Sequence, residues 1–118
     1  MTKQWVFDPH SGGIKISPNR KAEVEARITR YADKNLKEKC DRIEVRFRGA
    51  LCYVTAWRKQ SDGDDYRLPL CRLRHFDKER WSVLLFTWSN ESYEPCILPS
   101  GEWFRSIEDC LELGTTFL

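Results

Sequence analysis

Asp8-Pro9-His10-Ser11-Gly12-Gly13 sets a carboxylate, an imidazole and a hydroxyl within four positions, ahead of two glycines whose backbone N–H groups could meet an anion. These are triad components, but triad members act through shared hydrogen bonds that residues so close in sequence seldom achieve. The glycines do not open directly onto a helix, so neither a P-loop nor a dinucleotide-binding turn is present. The stretch reads first as a turn in which Asp8 and Ser11 bond their own backbone, and second as the site of a small hydrolase using Asp8, His10 or Ser11.

A cysteine nucleophile would need an imidazole, and the chain has only His10 and His75. Cys71 and His75 fall on one face of an extended segment, four residues apart and too distant for contact. The five cysteines, at 40, 52, 71, 96 and 110, are odd in number and form no C-x-x-C pair. Zinc knuckles and thioredoxin chemistry therefore find no support, and no metal or cofactor is expected. In a reducing compartment these residues behave as buried thiols of small apolar type.

The third grouping is the best defined. Arg42, Arg46 and Arg48 alternate along one segment, and Tyr53 and Trp57 along the next. A sheet surface of aromatics interleaved with arginines can stack bases and neutralise phosphates. The simpler reading is cross-strand pairing, with guanidinium groups lying over rings for cation–π contact. Arg27, Arg30, Lys34 and Lys37 run along one side of a helix and could extend the basic surface. Left uncovered, Leu51, Tyr53 and Trp57 would also make a patch suited to self-association.

The elements that must position these residues are readable. Ser17 caps a helix that has Pro18 at its first position. Val24, Ile28, Tyr31, Ala32 and Leu36 then form one face at a 3.6-residue period. The helix is expected over about 18–37, with Glu23–Arg27 and Asp33–Lys37 as i,i+4 pairs. Arg42 to Arg48 and Leu51 to Trp57 alternate strictly around Gly49-Ala50. A two-residue turn there pairs residue i with 99 − i. That register puts Ile43, Val45, Phe47, Cys52, Val54 and Ala56 on the helix side and leaves Arg42, Arg46, Tyr53 and Trp57 on the other.

Beyond the hairpin, Gln60 to Tyr66 reads as a polar loop. Leu70 to Arg74 reads as a third strand, with Pro69 tolerable near its start or on an edge. Trp81 to Trp88, apolar on both faces, reads as a central strand. Tyr93 to Leu98 reads as an edge strand carrying Pro95. Ser106 to Asp109 approximates a capping box for a short helix, with Gly114 suited to the position just past its end.

The 118 residues fit a single domain able to bury a core without disulfides or metal. Hydrophobic residues make up 41% and charged residues 32%, the balance of a globular chain. No signal peptide is visible and apolar runs such as Val83 to Phe86 are far too short for a bilayer, so a cytoplasmic protein without membrane contact is expected. Residues 1–60 carry 14 Lys+Arg against 7 Asp+Glu, and residues 61–118 carry 6 against 11. Such a split suits an acidic partner such as nucleic acid, but a fold whose halves attract each other explains it more simply.

The stretches W-V-F-D-P-H-S-G-G, V-R-F-R-G-A-L-C-Y, L-C-R-L-R, Y-E-P-C and P-S-G-E resemble a family of small bacterial proteins with no assigned activity. The chain is also similar in kind to proteins encoded by mobile gene cassettes. That resemblance implies no functional residues. The expectation is therefore an α+β domain over 1–118, with a long helix on one face of a four- to five-stranded antiparallel sheet and a short C-terminal helix. Its first functional reading is a non-enzymatic binding module using Arg42, Arg46, Arg48, Tyr53 and Trp57, toward nucleic acid or a second copy of itself. The runner-up is the Asp8-His10-Ser11 hydrolase.

Overall fold

The computed structural model describes residues 11–60, 63–116 and 118. The elements run α1 (Pro18–Asn35), β1 (Arg42–Arg48), β2 (Leu51–Lys59), β3 (Asp65–Asp77), β4 (Arg80–Thr87), β5 (Ser92–Pro95) and α2 (Ile107–Gly114). The strands form one antiparallel sheet in chain order, β1-β2-β3-β4-β5. Both helices pack on the same face.

α1 starts where its punctuation says it should. Ser17 Oγ accepts from the Arg20 N–H at 3.3 Å, and Pro18 opens the first turn. Val24, Ile28 and Leu36 are buried and Tyr31 packs at the margin. The salt links differ from the expected i,i+4 pairing. Glu23 pairs with Arg20. Arg27, only 15% exposed, instead reaches Glu79 in the β3–β4 turn and Glu108 in α2, with Nη1 and Nε bonds of 2.9 Å. The Arg27 hydrogen bond holds the Glu108 carboxyl below its ordinary range, and the two carboxylates raise the Arg27 guanidinium in turn. One guanidinium thus ties three elements together, a longer-range choice than a helix surface pair offers.

The first hairpin has the 99 − i register throughout, from Arg42 opposite Trp57 to Arg48 opposite Leu51. Gly49 has φ +59° and Ala50 does not share its sign, the pattern of a type II′ turn. Cys52, Val54 and Ala56 are buried on the helix side, with Ile43, Val45 and Phe47 packing beside them.

β3 departs from expectation. It begins at Asp65, inside the stretch that reads as loop, because Asp65, Tyr66 and Arg67 pair with Lys59, Arg58 and Trp57. Its register shifts where Val54 faces Cys71 but Thr55 faces Pro69, leaving Leu70 as an extra residue. The bulge also explains Pro69 in mid-strand. β4 pairs β3 only from Cys71 onward, so Pro69 lies beyond the reach of that ladder. β4 is central as expected, flanked by β3 and β5, while β3 is the middle one of the five. β5 ends at Pro95, and Leu98 turns inward to the core instead of extending the strand.

Trp81 is wholly buried, its indole donating to the Lys78 carbonyl at 3.0 Å and its ring set against His75. Its backbone exchanges two hydrogen bonds with Arg105, which fixes the approach to α2. Ser106 caps α2 by accepting from the Asp109 N–H. The reciprocal half of the capping box does not form: the Asp109 carboxylate accepts from Arg105 Nε at 2.9 Å instead.

Gly114 is the last helical residue, not the residue past the end, and Thr115 follows as the cap. Its backbone needs no positive φ. What it supplies is closeness: a Cβ there would stand 2.6 Å from Cys71 Sγ and 2.9 Å from Cys71 Cβ. Gly114→Ala would gain helix propensity of about 1 kcal/mol but overpack a filled site at a cost of about 1–3 kcal/mol. The expected net result is a lower urea midpoint, partly restored by adding Cys71→Ala. A midpoint that rises in the single variant would mean that α2 sits less tightly on β3 than drawn.

Candidate functional site: the outer face of the sheet

The face away from the helices is organised in cross-strand rows. Across β1, β2 and β3 these read Arg42–Trp57–Arg67, Glu44–Thr55–Pro69, Arg46–Tyr53–Arg72 and Arg48–Leu51–Arg74. Three of the four rows set an arginine on each side of an apolar or aromatic residue. The Leu70 bulge creates this arrangement. In an unbroken strand residues 67 and 72 point to opposite faces, and the one-residue insertion puts both on the outer side.

Trp57 is held on several sides. The Arg42 guanidinium carbon lies 4.5 Å from its ring centroid and that of Arg67 lies 5.9 Å away. The indole N–H donates to Glu44 Oε1 at 2.8 Å. Glu44 is the only carboxylate in these four rows, and it is engaged by an indole rather than by an arginine. Arg42, Arg46, Arg48, Arg67 and Arg72 form no ion pair with any of the described residues. Arg42, Arg46, Arg48 and Arg67 are solvent-exposed. The expected cation–π pairing is therefore present, and it leaves the charge uncompensated.

A second feature, aromatic, continues across β4 and β5. Tyr53 meets Tyr93 edge-on at 5.7 Å, Tyr93 meets Phe86 at 5.2 Å, and Phe86 meets Trp88 at 5.0 Å. β2 and β5 are three strands apart, about 14 Å in a flat sheet, so the tyrosines must reach toward each other across β3 and β4. Leu84, beneath that path, is buried although it points outward. Arg72 sits 5.6 Å from the Tyr93 ring, and burial pushes the Tyr93 phenol up from its ordinary range. Trp88, at the end of the strip, is 58% exposed.

The sequence-derived residues thus divide clearly. Arg42, Arg46, Arg48, Tyr53 and Trp57 do share one face, with Tyr53 and Trp57 half-buried. The basic stripe of α1 does not join them, because the helix covers the opposite face and Arg27 is committed to Glu79 and Glu108. Asp8 and His10 lie outside the described residues. Ser11 is described, in an exposed bend before Gly12 and Gly13. Cys71 and His75 are not brought together: the thiol lies under Gly114, and the imidazole has Nδ1 2.9 Å from the Ile14 carbonyl with Trp81 beside it. Missed from sequence were Arg67, Arg72, Arg74, Phe86, Tyr93 and Trp88. The alternation of Leu70 to Arg74 already carried the signal for Arg72 and Arg74, whereas Arg67 could not be placed without the bulge.

Among the described residues no group of three or more His, Cys, Asp or Glu is gathered to hold a metal ion. None of their helices is long and apolar enough to cross a membrane. No protein-family model, curated protein or solved structure matches the chain.

Proposed function

We propose that the protein binds single-stranded nucleic acid on the outer face of its sheet. The observation behind this reading is the set of five arginines in the cross-strand rows, Arg42, Arg46, Arg48, Arg67 and Arg72, that form no ion pair with any of the described residues. Like charges set side by side on a sheet repel one another, and a polyanion laid across them removes that cost. The aromatic strip from Tyr53 to Trp88 supplies ring surface for unpaired bases, which favours a single strand over a duplex. The same charges weigh against a face-to-face homodimer, since a two-fold axis would set each arginine patch against its own copy.

The test is fluorescence anisotropy with a labelled oligodeoxythymidine over a salt series. Affinity should fall with salt on a log–log slope of about −0.7 for each phosphate engaged. Replacing both Arg46 and Arg48 by Ala should flatten that slope by about 1.4 and weaken binding without regard to base sequence. The corresponding duplex should bind less tightly. Absent binding at low salt, or binding indifferent to salt, sinks the reading. Should sedimentation then show a concentration-dependent dimer that Trp57→Ala abolishes, self-association would take its place.

A further inference from the structure

On the helix side of the sheet, β3 and β4 part company. β4 is paired to β3 only from Leu85 back to Arg80, so the first half of β3, Asp65 to Leu70, runs on without it. The wedge this leaves is a groove of about 320 Å³ lying against the C-terminal end of α2. Leu68, Leu70 and Leu85 line it from the strands, with Gly114 and Leu118 on the α2 side. Gly114 shapes it as well as permitting close packing, because the helix end there carries no side chain.

One charged side chain lines this apolar space, and it is Arg58. Its Nε donates to the Lys39 carbonyl at 2.7 Å, the one hydrogen bond it makes among the described residues. That bond anchors the guanidinium and leaves its two terminal nitrogens uncommitted. The surface beside it carries Lys37, Lys39 and Lys59 with Glu38 and Asp41, and Asp65 stands across from Lys59. Asp41 is itself spent on the Lys59 backbone N–H at 2.6 Å.

We infer that this groove binds a small amphipathic carboxylate, its apolar part against Leu68, Leu70 and Leu85 and its carboxylate on Arg58. The chemistry on each side is complementary. Leucine walls favour a hydrocarbon chain or single ring, and a tethered guanidinium offers a carboxylate two parallel N–H donors. The volume lies at the small end of ligand pockets, which run from roughly 300 to 1,000 Å³, so the ligand is compact. The groove shares Phe86 and Trp88 with the aromatic strip of the outer face, but Arg58 and the three leucines that carry this inference take no part in the arginine rows.

The experiment is a methyl-NMR titration of the intact chain with octanoate, using octan-1-ol as the neutral counterpart. Octanoate should shift the methyls of Leu68, Leu70, Leu85 and Thr87 saturably, and octanol should bind about tenfold more weakly. Arg58→Gln should erase that difference while its spectrum stays folded. Arg58→Lys, which keeps the charge, should retain part of the preference. The inference fails if octanoate leaves those methyls unmoved, if acid and alcohol bind equally, or if Arg58→Gln binds octanoate as tightly as the native chain. If Arg58→Gln does not fold, the acid–alcohol comparison and Arg58→Lys decide it, and a lysine variant with no preference for the acid overturns it.

Discussion

Urea titrations at rising pH are expected to show folding stability falling from about pH 9 upward, by about 1.4 kcal/mol per pH unit for each of three core thiols. Cys52, Cys71 and Cys110 are buried together between β2, β3 and α2. Burial raises all three, Cys52 and Cys110 to about 12 and Cys71 well above the ordinary range. In the unfolded chain a thiol ionises near 9. Below that pH both states keep the proton and the contribution is fully present. Above it the unfolded state releases protons that the folded state retains, so stability falls until Cys52 and Cys110 titrate in the folded state, near 12. Together the three impose a slope of about 4 kcal/mol per unit, enough to exhaust a typical reserve of roughly 5–15 kcal/mol within a few units. Cys110→Ala should remove one thiol's share of the slope. Should native and variant proteins lose stability in parallel between pH 9 and 11, the thiols are not responsible.

Deleting Leu70 is expected to leave the outer face in register, at a cost confined to the lost side chain, about 2 kcal/mol. Leu70 is the extra residue of the bulge, so without it Val54 still faces Cys71 and Thr55 still faces Pro69. Alternation then runs unbroken along β3, with Arg67, Pro69, Arg72 and Arg74 outward and Leu68, Cys71 and Leu73 inward. Hydrogen exchange can check this: the amides of Arg67 and Leu68 should keep their protection along with those of Leu73 and His75. Leu70→Ala, which removes the same side chain but preserves the count of residues, should cost a similar amount. Loss of protection at Arg67 in the deletion variant alone would mean that the bulge itself, and not the Leu70 side chain, holds the outer half of β3 on β2. Nucleic-acid affinity should survive the deletion, since all three arginine rows keep their places.

These two expectations mark where the sequence was and was not legible. The thiols could be read as core residues because each falls on an inward position of an alternating or helical pattern. The first hairpin could be read to the residue because both of its strands alternate, so a slip of one would scramble both faces. β3 offered no such check. Its first residues, Asp65, Tyr66 and Arg67, are polar and become strand only because β2 extends far enough to pair with them. The bulge follows from how Pro69 must be accommodated against Thr55, a three-dimensional constraint that alternation alone does not report. The basic stripe on α1 misled for a related reason: the spacing gave its side of the helix, but only the positions of Glu79 and Glu108 show that Arg27 is already engaged. Of the candidate binding face, the half on β1 and β2 was readable, Arg72 and Arg74 on β3 were signalled by alternation, and Arg67 and the aromatic strip on β4 and β5 were not.

The meander order of the sheet has a consequence for the chain as it leaves the ribosome. Each strand pairs with the next one synthesised, so the sheet can grow by successive short hairpins without a long loop closure. The helices differ: α1 emerges first, α2 last, and the Arg27–Glu108 link between them spans 81 positions. The apolar stripe of α1 can settle early on β1 and β2, while the part of the core built by Ile107, Cys110 and Leu111 stays open until α2 has been made. A nascent chain stalled before α2 therefore exposes the inner side of β3 and β4, and that is the stage at which this small protein is most open to aggregation or to capture by a chaperone.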